Sequence, residues 1–235
     1  CSSDLGILQC GHAPDEVRAQ HGDFDAMFAT LFQSYDFTFQ TWNVVDGDFP
    51  AAIDAADGWL ISGSKHGAYE DHAFIPPLSE LIREIYASAR PMVGICFGHQ
   101  IIAQALGGRV EKFEGGWAIG RHDYSFNGHG SVTLNAWHQD QVTTLPPEAQ
   151  VIGSSPFCQF AALIYGQKAF TVQPHPEFSN SVFDDYVKSR RSSPVYPPAF
   201  MERADQLRDV PIQNSAIAAD IAAFLEAEYR AEISS

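Results

Sequence analysis

The sequence predicts an α/β protein with a mostly parallel central sheet, and two observations support this fold class. Strand and helix patterns alternate over roughly the first 110 of the 235 residues, which is typical of a parallel sheet covered by helices on both faces. An apolar strand pattern at 92–95 runs straight into Cys96, and a helix pattern follows it. No uninterrupted apolar stretch of about 18 residues occurs, so no membrane span is predicted.

The elements of the first half follow from two patterns. Short apolar or β-branched runs between turn residues indicate strands, and apolar residues repeated at i, i+3 and i+4 indicate amphipathic helices. The predicted strands are 5–8, 37–45, 59–61 and 92–95. The predicted helices are 24–32, 78–85 and 101–106, and residues 11–22 are predicted to form a loop. Pro91 stops the second helix, and the glycine pair at 107–108 closes the third.

The pattern changes after Val110. Short strand segments at 131–134, 151–153, 160–165 and 169–173 indicate either an antiparallel extension or the far edge of the sheet. Helical patterns return from Ser179, with interruptions at 192–194 and 197–198, and a last helix begins near Asn214. No linker composition separates these parts. We therefore predict one domain over residues 1–235, with a core at about 5–178 and a helical C-terminal addition at about 179–235.

The composition argues against two classes of partner. Lys and Arg total 14 and Asp and Glu total 29, and the resulting net charge of −15 disfavours binding to nucleic acid or to an anionic membrane.

A chain of this length does not need disulfides, and no basic and apolar leader pattern is found. We therefore expect a reducing, cytoplasmic setting. Cys1 is interpreted as a trimmed end rather than as a lipid-bearing cysteine.

The motif Gly-Ile-Cys-Phe-Gly at 94–98 has the form of a nucleophile elbow, in which a strained strand-to-helix turn exposes the central side chain at the carboxyl edge of the sheet. Glycines on both sides leave room for this sharp turn. The N-terminus of the following helix favours a thiolate at Cys96. A buried, inert thiol is the alternative interpretation of this pentapeptide taken alone.

A thiolate nucleophile needs a base, and His175 is the strongest candidate among the nine histidines. It follows the apolar run 169–172, so it should lie at the same sheet edge as Cys96, and a proline on each side restricts its backbone. Glu177 points the same way in an extended segment and can hold one ring nitrogen. A loop histidine with a capping glutamate is the alternative for this segment taken alone.

Acyl transfer also needs donors for the developing oxyanion. The backbone N–H of Phe97, directly after the nucleophile, is one candidate. The second is expected in the Ser-Gly-Ser segment at 62–64, because this segment follows the apolar run 59–61 and should reach the same edge. An ordinary glycine turn is the alternative for that segment.

The motif Gly-Ile-Cys-Phe-Gly-His-Gln at 94–100, with Pro-His-Pro-Glu at 174–177, resembles the class I, triad-type glutamine amidotransferase domain. The resemblance extends over about 5–178, and free-standing members similar to the glutamine-hydrolysing domain of GMP synthase resemble the chain most. It implies a flavodoxin-like, three-layer α/β fold with a nucleophile elbow. It also implies release of ammonia from glutamine through a γ-glutamyl thioester.

The resemblance assigns roles to individual residues. It implies that Cys96 is the nucleophile, His175 the base and Glu177 the residue that orients the base. The backbone N–H groups of Ser64 and Phe97 are the implied oxyanion donors. The segment 135–140 resembles the part of the family domain that holds the α-amino and carboxylate groups of glutamine. The implied substrate-binding residues are Gln100, Trp137, His138 and Gln139.

No cofactor or metal site is predicted. The chain contains neither a Gly-x-x-x-x-Gly-Lys phosphate loop nor a pyrophosphatase segment, so no ATP site is expected. Four of the remaining histidines lack the pairing with an acidic residue or a cysteine pair that metal sites show. These are His99, His122, His129 and His138. Cys10 and Cys158 are expected to be structural thiols.

The sequence therefore predicts an enzyme that hydrolyses the γ-carboxamide of glutamine. A γ-glutamyl peptidase acting on glutathione-like compounds uses the same triad and is one alternative, and a non-catalytic regulatory or binding module is another. The chain shows no acceptor site for ammonia. Either a separate synthase subunit takes the ammonia or the enzyme is a self-sufficient hydrolase, and we favour the second because the C-terminal helices exceed what a docking module needs. Those helices either cover the sheet or form the face of a homodimer.

Overall fold

The computed structural model describes residues 3–226, and its centre is a nine-stranded sheet. Cys1 and residues 227–235, the end of the predicted C-terminal addition, lie outside the described residues. The strands are β1 (Ser3–Leu8), β2 (Phe37–Trp42), β3 (Gly58–Ile61), β4 (Met92–Ile95), β5 (Arg109–Lys112), β6 (Ala118–Phe126), β7 (Gly130–His138), β8 (Asp140–Thr144), β9 (Gln150–Ser154), β10 (Ala162–Tyr165) and β11 (Ala169–Val172).

The sheet has a parallel half and an antiparallel half. The strand order is β2-β1-β3-β4-β11-β10-β9-β6-β7, while β5 and β8 form a separate antiparallel ribbon. The first five strands in this order are parallel to one another. The pairs from β11 onwards are antiparallel. The second half of the chain is thus an antiparallel extension of a parallel sheet, one of the two arrangements that its short strand patterns indicated.

The three strands at the middle of the parallel half position the candidate site. Every residue of β3, β4 and β11 is buried, as expected for parallel strands that are covered on both faces. Ile61 is in register with Gly94, and Ile95 with Val172, so these strands end side by side. The segments that follow them therefore emerge at one edge of the sheet.

Helices cover both faces of the sheet, which confirms the predicted three-layer α/β fold. They are α1 (Asp15–His21), α2 (Phe24–Leu31), α3 (Ile75–Ser88), α4 (Phe97–Ala105), α5 (Asn180–Arg190), α6 (Pro198–Gln206) and α7 (Asn214–Leu225). The buried side chains of α3 and α4 belong to one apolar cluster. Those of α1, α2, α5, α6 and α7 belong to the other. No helix in residues 3–226 has the length and apolar character needed to cross a bilayer.

Two predicted segments differ from the structure. Residues 15–21 form α1 instead of a loop; this helix has only seven residues and buries only Val17, so its apolar periodicity is too weak to detect. The strand predicted at 37–45 ends at Trp42, and a 3₁₀ turn at Val44–Asp46 leads into Gly47, whose φ of 88° suits glycine.

The hairpin of β6 and β7 is also longer than predicted. Each strand has nine residues, whereas the sequence patterns indicated only four residues of β7 and none of β6. Arg121 and Asp123 interrupt the apolar pattern of β6. Arg121 is nevertheless buried, because side chains from other elements bind its guanidinium.

The C-terminal helices complete the apolar core on one face of the sheet. α5 begins after Ser179, whose hydroxyl accepts a hydrogen bond from the N–H of Val182 and caps the helix. In α7, Ile217 and Phe224 are fully buried, and the ring of Phe224 lies 5.8 Å from that of Phe170 in β11. The helices therefore cover the sheet behind the strands that lead to the candidate site.

Candidate active site

The site is built where β3, β4 and β11 end. Cys96 follows β4 directly, and its N–H donates to the carbonyl of Val172, the last residue of β11, at 2.9 Å. On the other side, the N–H of Gly98 donates to the carbonyl of Ser62 at 3.1 Å. Backbone hydrogen bonds therefore fix the turn at Cys96 to both neighbouring strand ends.

Cys96 occupies a strained turn. Its φ of 53° and ψ of −102° are rare for a residue with a side chain, and α4 begins at the next residue. A Cβ at Gly98 would lie 2.2 Å from the carbonyl oxygen of Ile61, and one at Gly94 would lie 2.6 Å from the backbone of Gly98. Both glycines of the motif are thus required because neighbouring backbone occupies the space of a side chain. This is the geometry that a nucleophile elbow needs.

His175 and Glu177 form a buried pair beside Cys96. The Nδ1 atom of His175 lies 2.7 Å from Oε1 of Glu177, and both side chains are almost completely buried. Burial lowers the pKa of His175, but the negative charges of Glu177 and of the Cys96 sulfur outweigh it and raise this pKa above its ordinary value. Cys96 and His175 also line one cleft. The structure therefore brings the three predicted triad residues together.

An aromatic stack holds the imidazole of His175 in place. Its ring lies 4.2 Å from that of Phe178 and is tilted from it by only 10°. Phe178 in turn stacks on Tyr186 at 4.7 Å. Tyr186 belongs to α5, so the C-terminal addition contributes directly to the packing behind the candidate base. Sequence analysis did not identify this role, because the aromatic residue comes from a distant element.

A buried guanidinium organises the backbone of the same segment. Arg121 donates to the side-chain oxygens of Asn135 at 3.0 Å and Asn180 at 2.8 Å, and to the carbonyl of Arg208 at 2.8 Å. Asn135 donates its amide to the carbonyl of Phe178 at 2.9 Å and accepts, through its own carbonyl, the N–H of His175 at 2.8 Å. Sequence analysis missed Arg121, since a lone arginine in a strand carries no local signal.

The candidate oxyanion donors, Ser64 and Phe97, both belong to segments that reach Cys96. Phe97 is the first residue of α4, where backbone N–H groups have no partner within the helix. Ser64 lines the same cavity as Cys96. Between Ser64 and β3, a Cβ at Gly63 would lie 3.1 Å from Cε1 of His175, so the loop passes close to the imidazole. The structure thus brings both predicted donors to the site.

The predicted substrate-binding residues also reach the cavity. Gln100 is buried, and its amide donates to the carbonyl of Asp140 at 2.8 Å and to the side chain of Gln173 at 3.1 Å. Trp137 places its carbonyl oxygen 4.0 Å from the Cys96 sulfur. Gln139 donates to the carbonyl of Phe113 at 3.3 Å. All three residues line the cavity.

The remaining predicted substrate-binding residue, His138, also lines the cavity, although its side chain is almost completely buried. Burial, together with the neighbouring imidazoles of His122 and His175, lowers the pKa of His138 to about 3. Its Nδ1 atom lies 3.3 Å from the carbonyl oxygen of Asp140. The ring is therefore neutral at physiological pH and available as a hydrogen-bonding group rather than as a charge.

The cavity over Cys96 has a volume of about 680 Å³, in the range of sites for drug-sized ligands. Three cationic side chains, Lys65, Lys112 and Arg190, line it together with Trp117 and other aromatic residues. Three carboxylates, Glu70, Asp71 and Asp140, line the same cavity, whereas the cleft beside Cys96 and His175 is lined by Lys65 and Arg190 and by no acidic side chain among the described residues. Sequence analysis did not predict this feature, because Lys65 and Arg190 belong to separate segments of the chain.

The other described cysteines are poorly suited to nucleophilic chemistry. Cys10 and Cys158 are buried, and neither lines this cavity. Burial raises the pKa of the Cys10 thiol and raises that of Cys158 to about 12. Both thiols are therefore protonated at neutral pH, in line with the expectation that they are structural.

Comparison with known proteins identifies the family that these motifs resemble. The family described as glutamine amidotransferase class-I matches residues 30–191, more than half of the chain. Gamma-glutamyl peptidase 3 of Arabidopsis thaliana is 28% identical over 80% of this chain and 82% of that protein. The glutamine-hydrolysing GMP synthase of Aromatoleum aromaticum is 35% identical over 54% of this chain and 27% of that enzyme.

A solved structure has a similar fold. The crystal structure of a glutamine amidotransferase from Thermotoga maritima superposes with a TM-score of 0.74 at 20% identity. The match covers 95% of this chain and 99% of the other. At this level of identity the likeness shows the fold.

Proposed function

The chain belongs to the class I glutamine amidotransferase family, and from that premise we propose that it hydrolyses a γ-glutamyl amide through a thioester on Cys96. The single observation that carries the proposal is the convergence of Cys96 with the buried His175–Glu177 pair at one edge of the sheet. A strained residue next to a base that a carboxylate orients is the arrangement that covalent acyl transfer requires.

In the first half of the proposed reaction, the Cys96 thiolate, whose proton His175 already holds, attacks the γ-carbonyl carbon. The carbonyl oxygen becomes an oxyanion, which the backbone N–H groups of Ser64 and Phe97 stabilise. His175 then gives its proton to the departing nitrogen as the carbon–nitrogen bond breaks. The products of this half are the free amine or ammonia and a γ-glutamyl thioester on the sulfur.

The second half returns the enzyme to its starting state. Neutral His175 removes a proton from water, and the resulting hydroxide attacks the thioester carbonyl within the same oxyanion site. Collapse of this intermediate breaks the carbon–sulfur bond and releases glutamate. Throughout the cycle, Glu177 holds Nδ1 of His175 and stabilises the imidazolium when it forms.

Glutamine is the first candidate substrate, with ammonia and glutamate as products. Gln100, Trp137, His138 and Gln139 are proposed to bind its glutamyl part, because they line the cavity beside the sulfur. The assembled triad argues against a purely regulatory module. We favour a self-sufficient hydrolase over a subunit that passes ammonia to a separate synthase, since α5 already supports the base from within this chain.

A γ-glutamyl peptide is the second candidate, and the cavity supplies the observation that favours it. A volume of about 680 Å³ leaves room beyond a single amino acid. The positive charges of Lys65 and Arg190, which line the cleft beside Cys96 and His175, suit a leaving group that carries a carboxylate, as the amine half of a peptide does. The similarity to a γ-glutamyl peptidase over most of the chain agrees with this candidate.

The test compares both substrates on the purified chain. Ammonia released from glutamine and amine released from γ-glutamyl dipeptides and tripeptides are measured in parallel, with Cys96→Ala as the inactive reference. Hydrolysis of either class supports the proposed chemistry and a self-sufficient enzyme. Stoichiometric thioester formation without turnover would indicate a missing partner, and no reaction of Cys96 with any γ-glutamyl compound would refute the proposal.

The variant Arg190→Ala separates the two substrates. If a peptide carboxylate binds at Lys65 and Arg190, this change raises the KM for peptides and leaves glutamine hydrolysis nearly unchanged. Arg83→Ala is the matched control, because Arg83 is exposed on α3, pairs with Glu80 and does not line the cavity. Equal peptide kinetics in the two variants would remove the argument for peptide specificity.

A further inference from the structure

Two imidazoles and one carboxylate form a cluster between β3 and α3, at the cavity that also contains Cys96. His66, Glu70 and His72 each offer one ligand atom, and the three atoms all lie within 4.8 Å of one another. Sequence spacing did not reveal this group, since the pattern His-x₃-Glu-x-His contains neither a histidine pair at i and i+4 nor a cysteine pair.

We propose that His66, Glu70 and His72 form a binding site for a divalent cation of the zinc class. Two imidazoles and one carboxylate are a ligand set that zinc sites use when the fourth position stays open for water or substrate. Imidazole nitrogens select borderline transition metals over magnesium and calcium, which prefer oxygen ligands. The proposal does not depend on the hydrolytic function proposed for Cys96.

The distances suit a small tetrahedral ion. Bonds of about 2.0–2.1 Å to zinc place tetrahedral ligand atoms about 3.3 Å apart. Nε2 of His72 lies 2.8 Å from Oε2 of Glu70, and Nδ1 of His66 lies 3.8 Å from the same oxygen. Each separation thus differs from the tetrahedral value by about half an ångström. The third separation, between the two imidazoles, is at most 4.8 Å, so side-chain rotation must bring these two nitrogens closer when an ion binds.

The packing beneath the cluster restricts the two imidazoles. Their ring centroids lie 4.0 Å apart. Both rings contact the buried Phe74, with centroid distances of 5.7 Å for His66 and 6.0 Å for His72. Glu70 accepts the N–H of Gly67 at 3.0 Å, which orients the carboxylate while leaving it further lone pairs. The ligand side chains are therefore partly ordered before an ion binds.

Hydrogen bonds to the body of the protein anchor the loop that carries the cluster. Gln104 in α4 donates to the carbonyl of Ala68 at 2.7 Å, and Ala68 is fully buried. Tyr69 donates to Asp140 at 3.2 Å. An anchored loop loses little conformational entropy on binding an ion, which favours affinity. The charge of Lys65, next to His66 in the chain, opposes a cation and sets a limit to that affinity.

The experiment titrates Zn²⁺ into the chain in competition with a chromophoric chelator. The parent protein is Cys96→Ala, because the Cys96 sulfur lines the same cavity and a cysteine thiolate can compete for zinc. His66→Ala, His72→Ala and Glu70→Gln are made in this parent. His129→Ala is the matched control, since His129 also pairs with a carboxylate, Asp220 at 2.7 Å, but lies away from the cavity.

We expect the parent to bind one equivalent of Zn²⁺ and each ligand variant to bind at least about tenfold more weakly, with no change in the control. Co²⁺ bound to the parent should show the strong visible absorption of a tetrahedral ion. Glu70→Gln keeps an acceptor for Gly67, so it tests the site even if a histidine variant is unstable. Absence of stoichiometric binding to the parent, or equal affinity in all variants, would overturn the proposal.

Discussion

Replacing Glu177 by glutamine tests the proposed role of the buried carboxylate. The Oε1 atom of Glu177 lies 2.7 Å from Nδ1 of His175, and the side chain of Glu177 is completely buried. Glutamine has nearly the same shape and can still accept this hydrogen bond, so the change removes mainly the charge. A hydrogen bond to a charged group contributes about 1.5–3 kcal/mol, which corresponds to a rate loss of about 10- to 150-fold.

The same variant should also change the pH profile. Burial alone lowers the pKa of His175, and the negative charges of Glu177 and the Cys96 sulfur raise it above its ordinary value. Removing the carboxylate therefore lowers this pKa. In the proposed reaction the active form of the enzyme contains a Cys96 thiolate and a His175 imidazolium. The alkaline limb of kcat/KM then reports loss of the imidazolium proton, and it should move to lower pH in Glu177→Gln.

The assay follows ammonia and amine release from pH 5 to 10, with thermal unfolding as a check that the variant folds. Asp220→Asn is the matched control, because Asp220 also pairs with a histidine, His129, at 2.7 Å but lies near the surface. The activity of this variant should equal that of the wild type. His175→Ala should lose more activity than Glu177→Gln, since it removes the proton carrier itself. The reverse order, or an unmoved alkaline limb, would refute this assignment.

Two further predictions concern the elbow and its thiol. A glutamine-analogue electrophile should label Cys96 and spare Cys10 and Cys158, because burial raises the pKa of both other thiols. Peptide mapping by mass spectrometry identifies the labelled cysteine. Labelling of another cysteine with activity intact would contradict the prediction. Gly98→Ala should destabilise the fold by about 1–3 kcal/mol or more, since its Cβ would lie 2.2 Å from the carbonyl oxygen of Ile61. Chemical denaturation measures the change in the free energy of unfolding. A variant as stable as the wild type would contradict the prediction and show that the turn can relax.

Features carried by local sequence were predictable. The strands that end at Ile61, Ile95 and Val172 are short apolar runs, and each shows the pattern of a buried strand within a few residues. The tight turn at Cys96 is formed by five consecutive residues, 94–98, so its two glycines were recognisable from the sequence. The short spacing from His175 to Glu177 likewise allowed their pairing to be predicted from the chain alone.

Features that depend on distant segments were not predictable. The helix at Asp15–His21 buries one apolar side chain, so its periodicity is weak. The hairpin strand Ala118–Phe126 carries a buried Arg121, and only the tertiary structure shows that its guanidinium donates to Asn135, Asn180 and the backbone of Arg208. Such partners are separated along the chain by up to 87 residues, beyond the reach of any local pattern.

The sequence by itself therefore determined the fold class, the elbow and the residues proposed for the triad, because backbone propensity and side-chain periodicity act over a few residues. Only the tertiary structure decided how the base is supported and what surrounds it. Tyr186 reaches the stack on His175, Lys65 and Arg190 meet at the cavity, and His66 approaches His72 over one buried ring. These contacts depend on the packing of whole elements against one sheet, which fixes distances that sequence separation does not encode.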